Sequence, residues 1–130
     1  MEIYESVMGD PQGKPTTGLL TALRFLKDNR LLPHGFDKQT ADQDVAVVGE
    51  AQADADFGSG GDSIRYSTPA GNAQGPFQVE AELWYQPIAF RWAMNLKAYN
   101  AMEPNRFVGY YETAAAGSAV ILVHATAATN

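Results

Sequence analysis

The nine residues from Phe77 to Tyr85 alternate between the two faces that a β-strand would have. One face carries Phe77, Val79, Ala81, Leu83 and Tyr85, and the other carries Gln78, Glu80, Glu82 and Trp84. A period of two residues is typical of a strand with one buried face and one solvated face. Because the turn-rich residues 71–76 precede this strand, the pattern predicts a hairpin in which residues 62–67 pair with it antiparallel.

Other segments add strands and a helix to this hairpin. The β-branched runs Asp44 to Glu50 and Ala119 to Ala125 predict two short strands. The second run is apolar on both faces, which predicts a central position with cover on each side. Helical spacing between Pro104 and Gly117 predicts a short helix, while residues 88–96 fit either a helical turn or irregular structure.

The segment from Leu19 to Leu32 fits both a helix and a strand, and its propensity favours the helix. The remaining pattern predicts a mainly β fold. We expect an antiparallel two-sheet sandwich, immunoglobulin-like or jelly-roll-like, with one or two short helices before the last strand. The alternative class is α+β.

The length of 130 residues and the hydrophobic content of 45% predict one domain spanning residues 1–130. No apolar run reaches the roughly 18 to 20 residues of a membrane helix, and the first residues do not read as a signal peptide. Because Met1 leads at once into an apparently structured segment, we expect a piece of a longer protein.

Charge and cysteine content exclude several functions for this chain. A net charge of −6 argues against non-specific nucleic-acid binding, which needs a basic surface. The absence of cysteine excludes thiol catalysis, cysteine-ligated zinc and covalent haem attachment within these residues.

Residues 54–62, DADFGSGGD, place three aspartates around a glycine-rich centre. Asp54, Asp56 and Asp62 offer the hard oxygen ligands that calcium prefers. Counted from Asp54, however, the fifth and twelfth positions are Gly58 and Arg65, which breaks the EF-hand pattern. We predict a solvated turn, with a calcium site outside the EF-hand class as the alternative.

Catalytic motifs are sparse, and the chain is predicted not to be an enzyme. Glu80 and Glu82 are the one pair that suggests a hydrolase, because glycoside hydrolysis uses two carboxylates. Such a pair is also common on the wet face of a strand. The histidines His34 and His124 lie far apart, and no nucleophile elbow or phosphate loop accompanies them.

Exposed aromatics give the best binding hypothesis. Trp84 lies beside Glu80 and Glu82 on the predicted wet face, and Arg91 follows the strand. These four residues predict a module that stacks and hydrogen-bonds a carbohydrate or another small molecule. The competing prediction, which we favour, is that residues 88–111 fold over this face and bury Trp84.

Several phrases occur together along almost the whole chain: Tyr4-Glu5-Ser6, residues 9–13, residues 26–36, residues 77–87 and Arg106-Phe107-Val108-Gly109-Tyr110-Tyr111. Together they resemble the C-terminal, haem-free β domain of bacterial exported proteins related to multihaem cytochromes c. The similarity lies in phrases rather than in a catalytic motif, so it carries over no haem-binding residue.

This resemblance implies a periplasmic, non-catalytic accessory or interaction domain. Any haem would belong to an upstream region, and the implied partner is that upstream domain or another periplasmic protein. The resemblance also favours an extended strand within residues 19–32. No membrane insertion and no nucleic-acid partner are expected, and the oligomeric state is left open.

Overall fold

The structure describes residues 1–129 of this computed structural model, which contain four strands, three α-helices and one short 3-10 helix joined by turns and irregular segments. The strands lie in two separate two-stranded antiparallel sheets. The protein is therefore a mixed α and β structure with small open sheets, and the predicted sandwich is not confirmed. The chain divides into two compact units, Met1–Arg65 and Tyr66–Asn130.

The first unit is built on strands β1 (Ser6–Gly9) and β2 (Arg24–Asp28). They pair antiparallel, from Ser6 opposite Asp28 to Gly9 opposite Arg24. A Cβ atom at Gly9 would lie 2.7 Å from the side chain of Leu26, so only glycine allows this approach. The extended structure implied for part of residues 19–32 is confirmed in β2, because pairing with β1 outweighs helix propensity.

The predicted strand from Asp44 to Glu50 is wrong. Residues Gln43–Val45 form the 3-10 helix, and helix α1 occupies Glu50–Ala53. Between them, Val48 exchanges two backbone hydrogen bonds with Asp28, at 2.8 and 3.0 Å, which is a single bridge and not a strand. Gly49 ends this pairing because its φ of +94° turns the chain into α1.

Polar side chains hold much of the first unit together. The buried Asn29 accepts a hydrogen bond from the backbone N–H of Glu5 at 2.9 Å, and its amide donates to Ile3 O at 3.1 Å. The buried Asp28 accepts two hydrogen bonds from the Arg30 guanidinium, at 2.9 and 2.6 Å. This contact raises the pKa of Arg30. Buried polar groups are tolerated here because they are paired.

The second unit contains β3 (Gln78–Tyr85) and β4 (Val120–Ala128), with α2 (Phe90–Leu96) and α3 (Met102–Ser118) between them in sequence. The strands predicted at Phe77 to Tyr85 and at Ala119 to Ala125 are therefore confirmed, as is the helix predicted between Pro104 and Gly117. The predicted hairpin is wrong, because β3 pairs with β4 and residues 62–67 form no strand. The long β-branched strand β4 offers a more extensive apolar pairing than that short segment.

The two helices of the second unit pack through aromatic rings. Trp92 meets Phe107 edge-on with ring centroids 6.4 Å apart, and Phe107 stacks on Tyr111 at the same distance. Lys97 forms an ion pair with Glu112 at 2.5 Å. Residues 88–96 are thus a helix for most of their length. No helix among residues 1–129 combines the length and apolar character needed to cross a membrane.

The central, covered position predicted for the last strand is wrong. Strand β4 pairs with β3 alone, and all nine of its residues are exposed. Within the second unit, neither α2 nor α3 packs over residues 78–85 and 120–128, so apolar side chains on both faces of this pair of strands meet solvent. We call this pair of strands the apolar ribbon.

Candidate functional site

The acidic loop, residues Asp54 to Asp62, is positioned by a tight turn. Asp54 follows α1 directly, and residues 58–61 then reverse the chain. Gly58 and Gly61 exchange backbone hydrogen bonds at 3.0 and 3.2 Å, which brings Asp62 back toward the start of the loop. One oxygen from each of Asp54, Asp56 and Asp62 lies within 4.8 Å of the others.

The turn at the tip of the acidic loop is anchored to the rest of the first unit. Gly60 has a φ of +80°, and its N–H donates to Leu32 O at 3.1 Å. The Ser59 hydroxyl accepts a hydrogen bond from the N–H of Gly35 at 2.5 Å. Phe57, at 2% exposure, is the largest fully buried side chain among residues 1–129, so it anchors the loop to the interior of the first unit. The positive φ of Gly60 is a backbone conformation that glycine adopts without strain.

The carboxylates of the acidic loop are close enough to change one another's protonation. A hydrogen bond with Asp54 raises the pKa of Asp56, and repulsion from Asp54 and Asp62 raises it further. The same bond lowers the pKa of Asp54. The two carboxyl groups therefore share one proton more readily than isolated aspartates would.

Asp62 has a different environment. Its Oδ2 accepts a hydrogen bond from the Tyr4 hydroxyl at 2.7 Å. Its Oδ1 is buried and has no hydrogen-bond partner among the described residues. The three carboxylates fit the size of a calcium site, whose oxygens lie about 2.3–2.6 Å from the ion. Calcium binding at Asp54, Asp56 and Asp62 stays a prediction.

A surface cavity of about 560 Å³ lies beside the acidic loop. Its wall contains charged and polar side chains, among them Lys27, Asn29, Asp54, Asp62 and Arg65. Both signs of charge meet at this cavity, and Phe57 contributes an apolar wall. Sequence reasoning did not bring Lys27 or Asn29 to the acidic loop, because both lie on or beside β2, about 30 residues away.

The second candidate site is the face of β3 that carries Trp84, which we call the tryptophan face. Trp84 is 51% exposed, so its predicted burial beneath the helical region is wrong. Its indole N–H donates to Glu82 at 2.8 Å, while Glu80 accepts from the amide of Gln78 at 3.1 Å. The two carboxylates lie side by side on one strand rather than facing each other across a cleft.

Strand pairing adds residues to the tryptophan face that sequence reasoning did not place there. His124 lies directly opposite Glu82, and Thr126 lies opposite Glu80. The alternating pattern of β3 located the carboxylates, but only the register with β4 brings these partners to them. Arg91 lies outside the sheet, in the first turn of α2.

Comparisons with protein-family models, with curated proteins and with solved structures found no match for this chain. The chemistry of the acidic loop, the tryptophan face and the apolar ribbon is therefore the basis for inferring a function.

Proposed function

We propose that the chain is a non-catalytic interaction domain whose apolar ribbon binds a protein partner. The observation that supports this proposal is the exposure of aliphatic side chains along both strands. Val79 is 54% exposed, and Leu122 and Val123 are each 58% exposed. Contiguous apolar surface of this kind marks a site of association in soluble proteins.

Strand pairing provides a second reason to propose a partner. A two-stranded ribbon without cover is marginally stable in water, because neither face buries enough apolar area. Both outer edges of the ribbon also keep unpaired backbone groups. A partner that adds strands and covers one face satisfies both requirements.

The proposed partner is an upstream domain of the same polypeptide or another periplasmic protein. This choice follows the resemblance to exported proteins related to multihaem cytochromes c. The proposal includes the finer fold: once a partner sheet covers the ribbon, β3 and β4 become part of a two-sheet sandwich. Haem, where present, would belong to the upstream region and not to this chain.

Amide hydrogen exchange tests the interaction role. The 130-residue chain is compared with the full-length gene product, and exchange is followed in β3 and β4. We expect at least about tenfold slower exchange of the ribbon in the longer protein, since buried ladder hydrogen bonds open less often. Strand β2 is the internal control. Equal exchange of the ribbon in both proteins, with no second copy bound, contradicts the proposal.

A second candidate function is the binding of a carbohydrate or another small molecule at the tryptophan face. The exposed indole of Trp84 and the neighbouring Glu80 and Glu82 favour it. Aromatic stacking combined with carboxylate hydrogen bonds suits a polar ring-shaped ligand. Arg91 was predicted to join this site, and its position on α2 makes it the member to test separately.

Tryptophan fluorescence tests the second candidate. The chain contains two tryptophans, so Trp92→Phe leaves Trp84 as the single reporter. A sugar panel that binds at the tryptophan face shifts the emission of this variant in a saturable way. Trp84→Phe is the matched control and should show no saturable change. Emission that no sugar alters removes this candidate.

A further inference from the structure

Apart from one register shift, the free edge of β4 lacks the features that keep exposed strands apart. Strand β4 pairs with β3 on one side only, and its nine residues, VILVHATAA, include no charged residue, no proline and no glycine. Natural edge strands are protected by lysine, proline, bulges or cover, because an open edge recruits another strand. The one irregularity of β4 lies near its start, where its register with β3 shifts.

The sequence of β4 is complementary to itself in the antiparallel direction. Its first four residues are large and apolar, and its last four are small, with His124 between the two halves. An antiparallel pair centred on His124 places Val123 beside Ala125 of the other strand, and Ile121 beside Ala127. Large residues facing small ones let two strands pack without gaps or clashes.

Charge selects β4 over β3 for contact between identical chains. The chain has a net charge of −6, so two copies repel each other unless the contact itself is uncharged. Pairing through β3 would bring together strands that each carry Glu80 and Glu82. Pairing through β4 brings together strands without formal charge, and it leaves these glutamates one strand farther from the contact.

We propose that the apolar ribbon also binds a second copy of this chain, which pairs antiparallel through β4 and forms a continuous four-stranded sheet. This inference rests on the proposed interaction role and adds to it a contact between identical chains at the β4 edge. The two copies are related by a two-fold axis at His124, so the contact is closed and produces dimers rather than fibres.

Single cysteines test the geometry directly, because the chain has none of its own. Opposed residues of an antiparallel pair have Cα atoms about 4.5–5.5 Å apart, within the range that a disulfide spans. His124→Cys should therefore form a covalent dimer under mild oxidation. Val120→Cys is the matched control: its two copies would lie roughly 27 Å apart, so it should remain uncrosslinked.

A pair of lysine variants tests the edge independently of oxidation. Ala125→Lys and Ala81→Lys alter directly opposed residues of the ribbon, so they put the same charge on the same face but on different strands. Sedimentation should show dimers for the native chain and for Ala81→Lys. Ala125→Lys should weaken dimerisation at least about tenfold, because a charged side chain then faces Val123 of the other copy and the two added charges become diagonal neighbours across the β4 edge.

The outcomes separate this inference from the interaction role itself. Crosslinking of His124→Cys, without crosslinking of Val120→Cys, supports the β4 dimer. Equal crosslinking of both variants, or equal weakening by both lysines, overturns it. A chain that stays monomeric at about 100 μM, yet shows slower exchange of the ribbon in the full-length protein, overturns the dimer and preserves the interaction role. Monomers without such protection overturn both.

Discussion

The two units of the chain differ in the interactions that stabilise them. In the first unit, Val7, Val47 and Phe57 are buried together with polar groups such as Asp28 and Asn29. In the described part of the second unit, Ala93 is the buried hydrophobic residue, while large apolar side chains of the ribbon and helices remain exposed. The first unit is held by specific hydrogen bonds around a small core, and the second leaves much of its apolar surface exposed.

This difference teaches where binding surfaces arise. Paired polar groups fix a unique arrangement, because each buried donor or acceptor left unpaired costs about 1–3 kcal/mol. Apolar area gains free energy from any cover, whether from the same chain or another. Apolar surface that a unit does not bury in its own fold therefore gains this free energy only when another surface covers it.

The largest expected effect comes from removing the core of the first unit. Phe57→Ala should lower the free energy of unfolding by about 3–5 kcal/mol, because it deletes a buried ring and leaves a cavity. Urea denaturation measures the change. Phe90→Ala, at a ring that is 62% exposed in the second unit, should change it by less than about 0.5 kcal/mol. Similar losses in both variants would erase the contrast between the units.

A smaller effect is expected when a polar anchor of the first unit is lost. Asn29→Ala removes the acceptor of the Glu5 N–H and the donor to Ile3 O. The free energy of unfolding should fall by about 1–3 kcal/mol, because buried partners lose their hydrogen bonds. Asn100→Ala, at an exposed residue of the second unit, is the control for the chemical change. Unchanged stability in Asn29→Ala would contradict the polar-anchor interpretation.

Protonation of the acidic loop should have a smaller effect still. Since the pKa of Asp56 is raised in the folded chain, its proton is held more tightly there than in the unfolded chain. This carboxyl therefore favours folding as the pH falls through that raised pKa. Asp54, whose pKa is lowered, has the opposite effect, and its contribution to stability is lost as the pH falls through its folded pKa.

Asp56→Asn removes both the shared proton and the repulsion. We expect its melting temperature to vary less between about pH 4 and 6 than that of the native chain, and to be equal or slightly higher at pH 7. Asp44→Asn, outside the acidic loop, controls for the loss of one charge. Parallel pH profiles for the native chain and Asp56→Asn would show that the carboxylates do not interact.

Calcium titration tests whether the acidic loop adds to the stability of the first unit. A solvated turn, as predicted, leaves the melting temperature unchanged in calcium and in chelator. A calcium site raises it by an amount that grows with ion concentration. That increase should disappear in Asp56→Ala.

Local patterns predicted several elements of the second unit correctly. The alternation in β3, the β-branched run of β4 and the helical spacing of α3 each depend on residues close together in sequence. Pairing partners depend on distant residues, and the sequence did not indicate that β4, about 40 residues away, would replace residues 62–67 beside β3. At Gly49, a positive φ turns the chain into α1 and ends the predicted strand. In β2, pairing with β1 outweighs the local helix propensity.

The candidate sites were likewise predictable where they depend on neighbouring residues and not where they depend on strand pairing. Asp54, Asp56 and Asp62 were recognised from one short segment, and a single turn was enough to bring them together. His124 was not assigned to the tryptophan face, because its place opposite Glu82 depends on strand register. The exposure of Trp84 was missed for a related reason: the spacing of aromatic residues indicates that helices form, not which surface they cover.

The hydrogen bond between Tyr4 and Asp62 also has a consequence for how the protein is made. It joins residues 58 positions apart, almost the full length of the first unit. A ribosome adding roughly 5–20 residues per second needs roughly 3 to 12 seconds to pass from one to the other. During that interval the nascent chain contains Tyr4 but not Asp62, so the first unit cannot complete its fold until the acidic loop has been synthesised.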